Sequence, residues 1–220
     1  GLAAIADGVL HQLPPLAALP LPDRMAAAVA ARVSALPKRA RDVLAASAAL
    51  GDHAATTTLA AVTNVPVDMM RRPLLRLLTA RWLRPIGGSG SYELTGRWGG
   101  GDAATVPEEV RIAGGDLVRR CVLAALPARS RQRLHAAAVA ALDEVADAPA
   151  ELLAEHARLG ELADAAEHCL AAAKACRKKD EIERAAWWTL EAARAAEATG
   201  EGAIGWRVSA AELALEAGVP

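Results

Sequence analysis

Apolar positions recur at helical spacing along most of the chain, interrupted by proline and glycine. After Asp23, "RMAAAVAARVSAL" predicts a lead-in helix. Three short helices are expected next, in "KRARDVLAASAAL" between Pro37 and Gly51, in "TTTLAAVTN", and in "VDMMRRPLLRLLTARWL" after Val65 and Pro66. Asp23 is expected to cap the first helix, and Pro37 to stand in the first turn of the second. Two β-capable runs then flank Gly87-Gly88-Ser89-Gly90 in "RWLRPIGGSGSYELTGRW", the pattern of a hairpin with a glycine turn. "GRWGGGDAATVPEE" reads as a polar loop, and Val110 to Ala113 is a candidate third strand.

In "VRIAGGDLVRRCVLAALP" a short β-like run meets Gly114 and Gly115, and a helix opens at Asp116. The glycines reach backbone angles closed to other residues, and Asp116 is expected to cap the free N–H groups of that helix. From there every segment is helical: Leu117 to Leu126, Ser130 to Ala146, Glu151 to Leu159, Glu161 to Arg177, Glu181 to Thr199, and Ala203 to Ala217. Gly160-Glu161 and Gly200-Glu201 punctuate this stretch 40 residues apart, a spacing suited to paired-helix repeats of the tetratricopeptide type.

The expected fold is therefore mainly α: a winged helix-turn-helix with a small β-hairpin wing, followed by an α-solenoid of tetratricopeptide-like helix pairs. Residues 1–22, which carry Pro14, Pro15, Pro20 and Pro22, read as a linker from something upstream. Residues 23–115 form the winged-helix domain with its lead-in helix, and 116–220 the helical-repeat domain.

Composition sharpens this picture. The 220 residues are 53% apolar, mostly alanine, with no Phe and one Tyr, so the core should be helix packed closely on helix rather than filled by aromatic rings. A net charge of −1 argues against a surface wholly devoted to nucleic acid and leaves room for a local basic face. Cys121, Cys169 and Cys176 are odd in number and far apart, which fits reduced thiols in a cytoplasmic protein. No apolar run reaches the roughly 20 residues that span a bilayer.

Chemistry is sparse. Neither a phosphate loop with its lysine nor a dinucleotide glycine signature occurs, so no complete nucleotide site lies within the chain, and no cofactor is expected in it. His156, His168, Cys169 and Cys176 offer metal-ligand types, but adjacent positions such as His168 and Cys169 diverge by about 100° on a helix. His135 lies on an Ala-rich helix without a nucleophile at triad spacing and reads as a packed histidine. Arg71, Arg72, Arg76, Arg81 and Arg84 cluster on and after the helix where a DNA reader presents its recognition surface. They lack neighbouring Asn, Gln or Ser to read base edges, so the face serves either DNA or domain docking. "KKDEIER" is mixed in sign and reads as a solvated helix start. Trp187 and Trp188, being adjacent, cannot share one core stripe. One belongs in the core; the other lies in a partner groove or subunit contact, or is covered by a neighbouring helix.

The order of phrases carries a resemblance. "LPLPDRMAAAVAARVSALPKRARDVLAASAALGD", "LLRLLTARWLRPI", "RIAGGDLVRRCVLAALPARSRQRLHAAAVAALDE" and "LLAEHARLGELADAAEHCLAAAKAC" together resemble the region after the ATPase core in LuxR-type and MalT-like transcriptional regulators of the STAND class, over about Leu19 to Leu215. The resemblance implies a regulatory module. Its winged helix would clamp an upstream ATP- or ADP-binding domain in a resting state, its repeats would receive a small-molecule inducer or protein partner, and DNA would be bound through another domain. At the winged-helix junction the family phrase carries an aromatic residue, a spacer, and His-Asp or His-Pro before Leu-Val-Arg, and that histidine approaches nucleotide phosphates. Here Gly115 stands in the histidine position, while Asp116, Leu117, Val118 and Arg119 keep the rest. The implied contact with the nucleotide domain would thus fall to Gly115, Asp116 and Arg119.

The leading expectation is a non-enzymatic sensor segment of a multidomain ATPase that regulates transcription, in the cytoplasm and as a possible homo-oligomer. The alternatives are a stand-alone winged-helix DNA-binding regulator with a helical dimerisation domain, and a scaffold whose repeats bind a peptide.

Overall fold

The computed structural model describes residues 3–6, 9–12, 21–86, 107–199 and 204–217. The chain is mainly α and divides into two compact units, residues 1–127 and 128–220.

Strands β1 (Ala3–Ala6) and β2 (Val9–Gln12) pair antiparallel, with Ala3 opposite Gln12. The linker expected over residues 1–22 thus contains a two-stranded ribbon in its first half. Proline is absent from residues 3–12, which leaves every backbone N–H there able to join a ladder. Pro14, Pro15 and Pro20 lie outside the described residues.

Helix α1 (Asp23–Ser34) starts on Pro22, and Asp23 is its first residue rather than its cap. The Asp23 carboxylate and Arg32 stand at the ends where the helix dipole favours their charges. Helix α2 (Lys38–Leu50) follows Pro37 and is the centre of the unit. Every residue from Val43 to Leu50 is buried, because α3, α4, α5 and β4 all pack on it. Gly51, at φ 62°, ends it.

Helix α3 (Thr56–Thr63) ends at Asn64 in the left-handed conformation. A 3-10 turn over Val67–Met69 then precedes α4 (Arg71–Thr79), so the single helix expected from Val67 through Leu83 is shorter at both ends. This resolves the position of Pro73, which falls in the first turn of α4, where its missing N–H has no helical partner to lose. Leu74, Leu77 and Leu78 form the buried stripe of α4, and Arg72, Arg76 and Thr79 the exposed one.

The chain turns at Arg81 into β3 (Leu83–Pro85), which pairs antiparallel with β4 (Val110–Ile112). The segment read as the second hairpin strand lies within 87–106, outside the described residues, as do Gly87-Gly88-Ser89-Gly90. The candidate third strand is the described partner of β3. An isolated bridge from Ala55 to Glu109 ties the start of α3 to the same edge, and Thr56 Oγ1 donates to the Pro107 carbonyl at 2.7 Å. Leu83, Val110 and Ile112 point to the core.

Helix α5 (Gly115–Ala124) packs against α1 and α2 and buries Cys121 and Val122. The boundary expected at 115/116 therefore falls later, after Pro127, because α5 completes the core of the first unit.

The second unit is an array of five helices: α6 (Ala128–Asp143), α7 (Ala150–Leu159), α8 (Ala165–Lys178), α9 (Ile182–Thr199) and α10 (Ile204–Glu216). Each packs on the next in sequence. Small residues dominate the contacts: Ala154, Cys169, Ala172, Cys176, Ala185 and Ala192 are fully buried, with Trp188 and Leu213 filling wider gaps. Short side chains let helix axes approach closely, which accounts for a core built largely without aromatic rings.

Candidate functional site

The arginines singled out from the sequence lie on consecutive elements of the first unit. Arg71, Arg72 and Arg76 are on α4, Arg81 is in the turn after it, and Arg84 is on β3; all five are exposed. None forms an ion pair with a described residue. Arg72 and Arg76 are one helical turn apart, about 6 Å along the axis, on the face opposite the leucines. Arg81 adopts φ 56°, which continues the chain into β3 by a left-handed helix end.

The register adds a sixth cation. Arg84 lies directly across from Arg111 on the strand face opposite Leu83 and Ile112. Like charges in that position repel. Asp52 relieves Arg111 in part, at 3.8 Å, while Arg111 Nε is buried without a hydrogen-bond partner. Arg111 was not singled out from the sequence, because only the strand register brings it beside Arg84.

At the junction, Gly114 (φ 94°) is the N-cap of α5 and Gly115 (φ 69°) its first residue. Asp116 makes no capping bond, contrary to expectation. The left-handed turn carries the chain into the helix by itself, and the carboxylate is turned along α5. It accepts from Arg119 Nε at 2.9 Å, and Arg119 Nη1 donates to the Ala48 carbonyl on α2 at 3.3 Å. Asp116 and Arg119 thus form a brace between α5 and α2, with Gly115 at the helix start beside them.

In the second unit Trp188 is buried, whereas Trp187 is 46% exposed and meets the Trp188 ring edge-on at 4.4 Å. Among the described residues Trp187 thus stays exposed rather than covered by a neighbouring helix as one sequence reading allowed. The metal-ligand types separate. His168 lies 3.7 Å from Asp164, and His156 Nδ1 is 2.8 Å from Nδ1 of His135, with both rings buried. One ring of that pair must donate and the other accept. Glu151, Cys176 and Glu181 do converge within 4.8 Å, but Lys179 and Arg184 already neutralise the carboxylates. Burial, reinforced by the Glu191 charge, pushes the Cys169 thiol up to about 11. Burial also raises the Cys176 thiol. Neither is a thiolate near neutrality.

The sequence reading missed two ion pairs between α7 and α9. Glu151 pairs with Arg184, and Arg158 with the buried Glu191 at 3.5 Å, each pair 33 residues apart. The shared offset makes the two helices parallel, with reciprocal charges seven residues apart on each. Seven-residue spacing of opposite charges was the available signal, obscured by the many other charges on these helices.

Comparisons with protein-family models, curated proteins and solved structures return no match.

Proposed function

We propose that this chain is a non-catalytic regulatory segment of a multidomain signal-transduction ATPase that controls transcription, of the LuxR-type and MalT-like kind its phrases resemble. In this reading α2 to β4 form a winged helix that docks on an upstream nucleotide domain, and α6 to α10 form a tetratricopeptide-like array. The array receives an inducer or protein partner, with Trp187 as its exposed anchor, and α5 relays the event through the Arg119 brace to α2. The module works in the cytoplasm, alone or as a homo-oligomer, and ATP or ADP belongs to the upstream domain.

One observation supports the helical-repeat half of this reading. The parallel, constant-offset pairing of α7 with α9 is how stacked helix pairs meet. The order helix, bridge, helix, helix, strand, strand in the first unit supports the winged-helix half. Calorimetric titration of the purified chain with ATP and ADP, together with phosphate-release measurements, tests it. No heat of binding and no turnover are expected, and measurable ATPase activity from this chain alone overturns it.

A further inference from the structure

The proposed function leaves the arginine face unexplained. Arg71, Arg72, Arg76, Arg81 and Arg84 sit together on consecutive elements and form no ion pair with a described residue, and Arg111 adds to them across the strand pair. The charge is also unevenly shared between the two units. Residues 1–127 hold 14 Lys and Arg against 10 Asp and Glu, and residues 128–220 hold 11 against 16, so the first unit is +4 and the second −5. The near-zero net charge of the whole conceals this.

We infer that the exposed arginine face of α4, with Arg81, Arg84 and Arg111 beyond it, binds the phosphate backbone of double-stranded nucleic acid without sequence selectivity. The occupant follows from chemistry and shape. All six cations are arginines, whose planar guanidinium forks match phosphate oxygens better than a lysine point charge does. They lie on the second helix of a helix, turn, helix succession and on the strands after it, with the leucine stripe of α4 anchored on α2 so that the arginine stripe faces out. Beside Arg72 and Arg76 that stripe holds only Thr79 as a polar side chain. No Asn or Gln stands there to pair with a base edge, so phosphates are read and sequence is not. An acidic protein surface would also be attracted. A duplex differs in presenting regularly spaced charge along a groove edge and in releasing counterions when these are neutralised.

The test is fluorescence anisotropy of a labelled 24-base-pair duplex with the full chain across a series of NaCl concentrations. Binding is expected in low salt, with log Kobs falling linearly against log salt at a slope of about −3 to −5, as for four or five neutralised phosphates. A shuffled duplex should bind within about twofold. The double variant Arg72→Ala, Arg76→Ala should weaken binding about tenfold or more and reduce the slope by about 2, and Arg→Lys at both positions should restore part of it. Arg129→Ala with Arg133→Ala, exposed on α6, removes the same charge elsewhere and should leave binding within about twofold. Circular dichroism checks that each variant is folded. Absence of salt-dependent binding overturns the inference. So does equal loss in the α6 control, which would show attraction to net charge alone, or poly-glutamate competing as well as duplex, which would assign the face to an acidic protein.

Discussion

Gly114 and Gly115 are neighbours with positive φ, but they answer to different constraints. A Cβ on Gly114 would lie 2.6 Å from Val118 Cγ2, whereas one on Gly115 meets nothing within 4 Å. Gly114→Ala should therefore cost about 2 to 3 kcal/mol, combining backbone strain with overlap, and Gly115→Ala only about 1 kcal/mol. Urea unfolding of the two variants checks the order, and equal losses would show that backbone strain alone matters. A similar division of labour occurs at Gly160 and Glu161. The left-handed residue that ends α7 is Glu161 at φ 51°, not the glycine before it. Its N–H reaches the Arg158 carbonyl at 3.2 Å, while that of Leu162 reaches Ala157 at 3.0 Å. Gly160 is needed for closeness, since a Cβ there would sit 3.0 Å from Ala136 N on α6. Glu161→Gly should thus stabilise by about 0.5 to 1 kcal/mol and Gly160→Ala should destabilise by at least as much. Thermal melts decide it, and a stabilising Gly160→Ala would refute the close-approach argument. The glycine breaks themselves are plain in the sequence. Which glycine serves the turn and which serves a neighbouring helix is not, because the second role depends on a residue 24 positions away.

Elements show the same pattern of local legibility and distant surprise. The helices of the second unit start and stop close to where periodicity placed them, since alanine-rich runs and Gly, Pro or Asp breaks are local signals. The ends of α4 are not legible in the sequence because the 3-10 turn before it and the Arg81 turn after it contain neither glycine nor an obvious breaker. How α7 meets α9 was invisible for a further reason: α8 lies between them in sequence. Glu191 is only 6% exposed and is held by Arg194 from its own helix and by Arg158 from α7. A buried carboxylate flanked by two guanidiniums is costly to leave half-paired. Arg158→Ala and Glu191→Ala should each destabilise by about 1 to 3 kcal/mol, and the double variant by clearly less than their sum, with a coupling of about 1 kcal/mol or more. Additive losses in chemical denaturation would show that the pair does not join the helices.

For the whole molecule, the location of the break between units is the main departure from the sequence reading. The change from β-like and mixed elements to uninterrupted helix at Gly115 suggested a domain boundary there, since a helix carries no mark of which body it packs on. Physically α5 belongs with what precedes it. It covers α1 and α2, buries Cys121 and Val122 at 1% exposure each, and holds α2 through Arg119 and the Ala48 carbonyl. The described core clusters of the second unit, by contrast, are built from residues after Pro127. Truncation separates the two descriptions. A fragment of residues 1–127 should unfold in a single cooperative transition, whereas residues 1–115 should lack one, because removing α5 exposes the apolar faces of α1 and α2 at about 25 cal/mol for each Å² uncovered. Residues 128–220 should melt cooperatively without α5, and residues 116–220 should gain no stability from it, since α5 clusters with the first unit. Far-ultraviolet circular dichroism followed through thermal melts of the four fragments reads this directly. A cooperative 1–115 fragment, or a 116–220 fragment more stable than 128–220, would return α5 to the helical array and move the boundary back to Gly115.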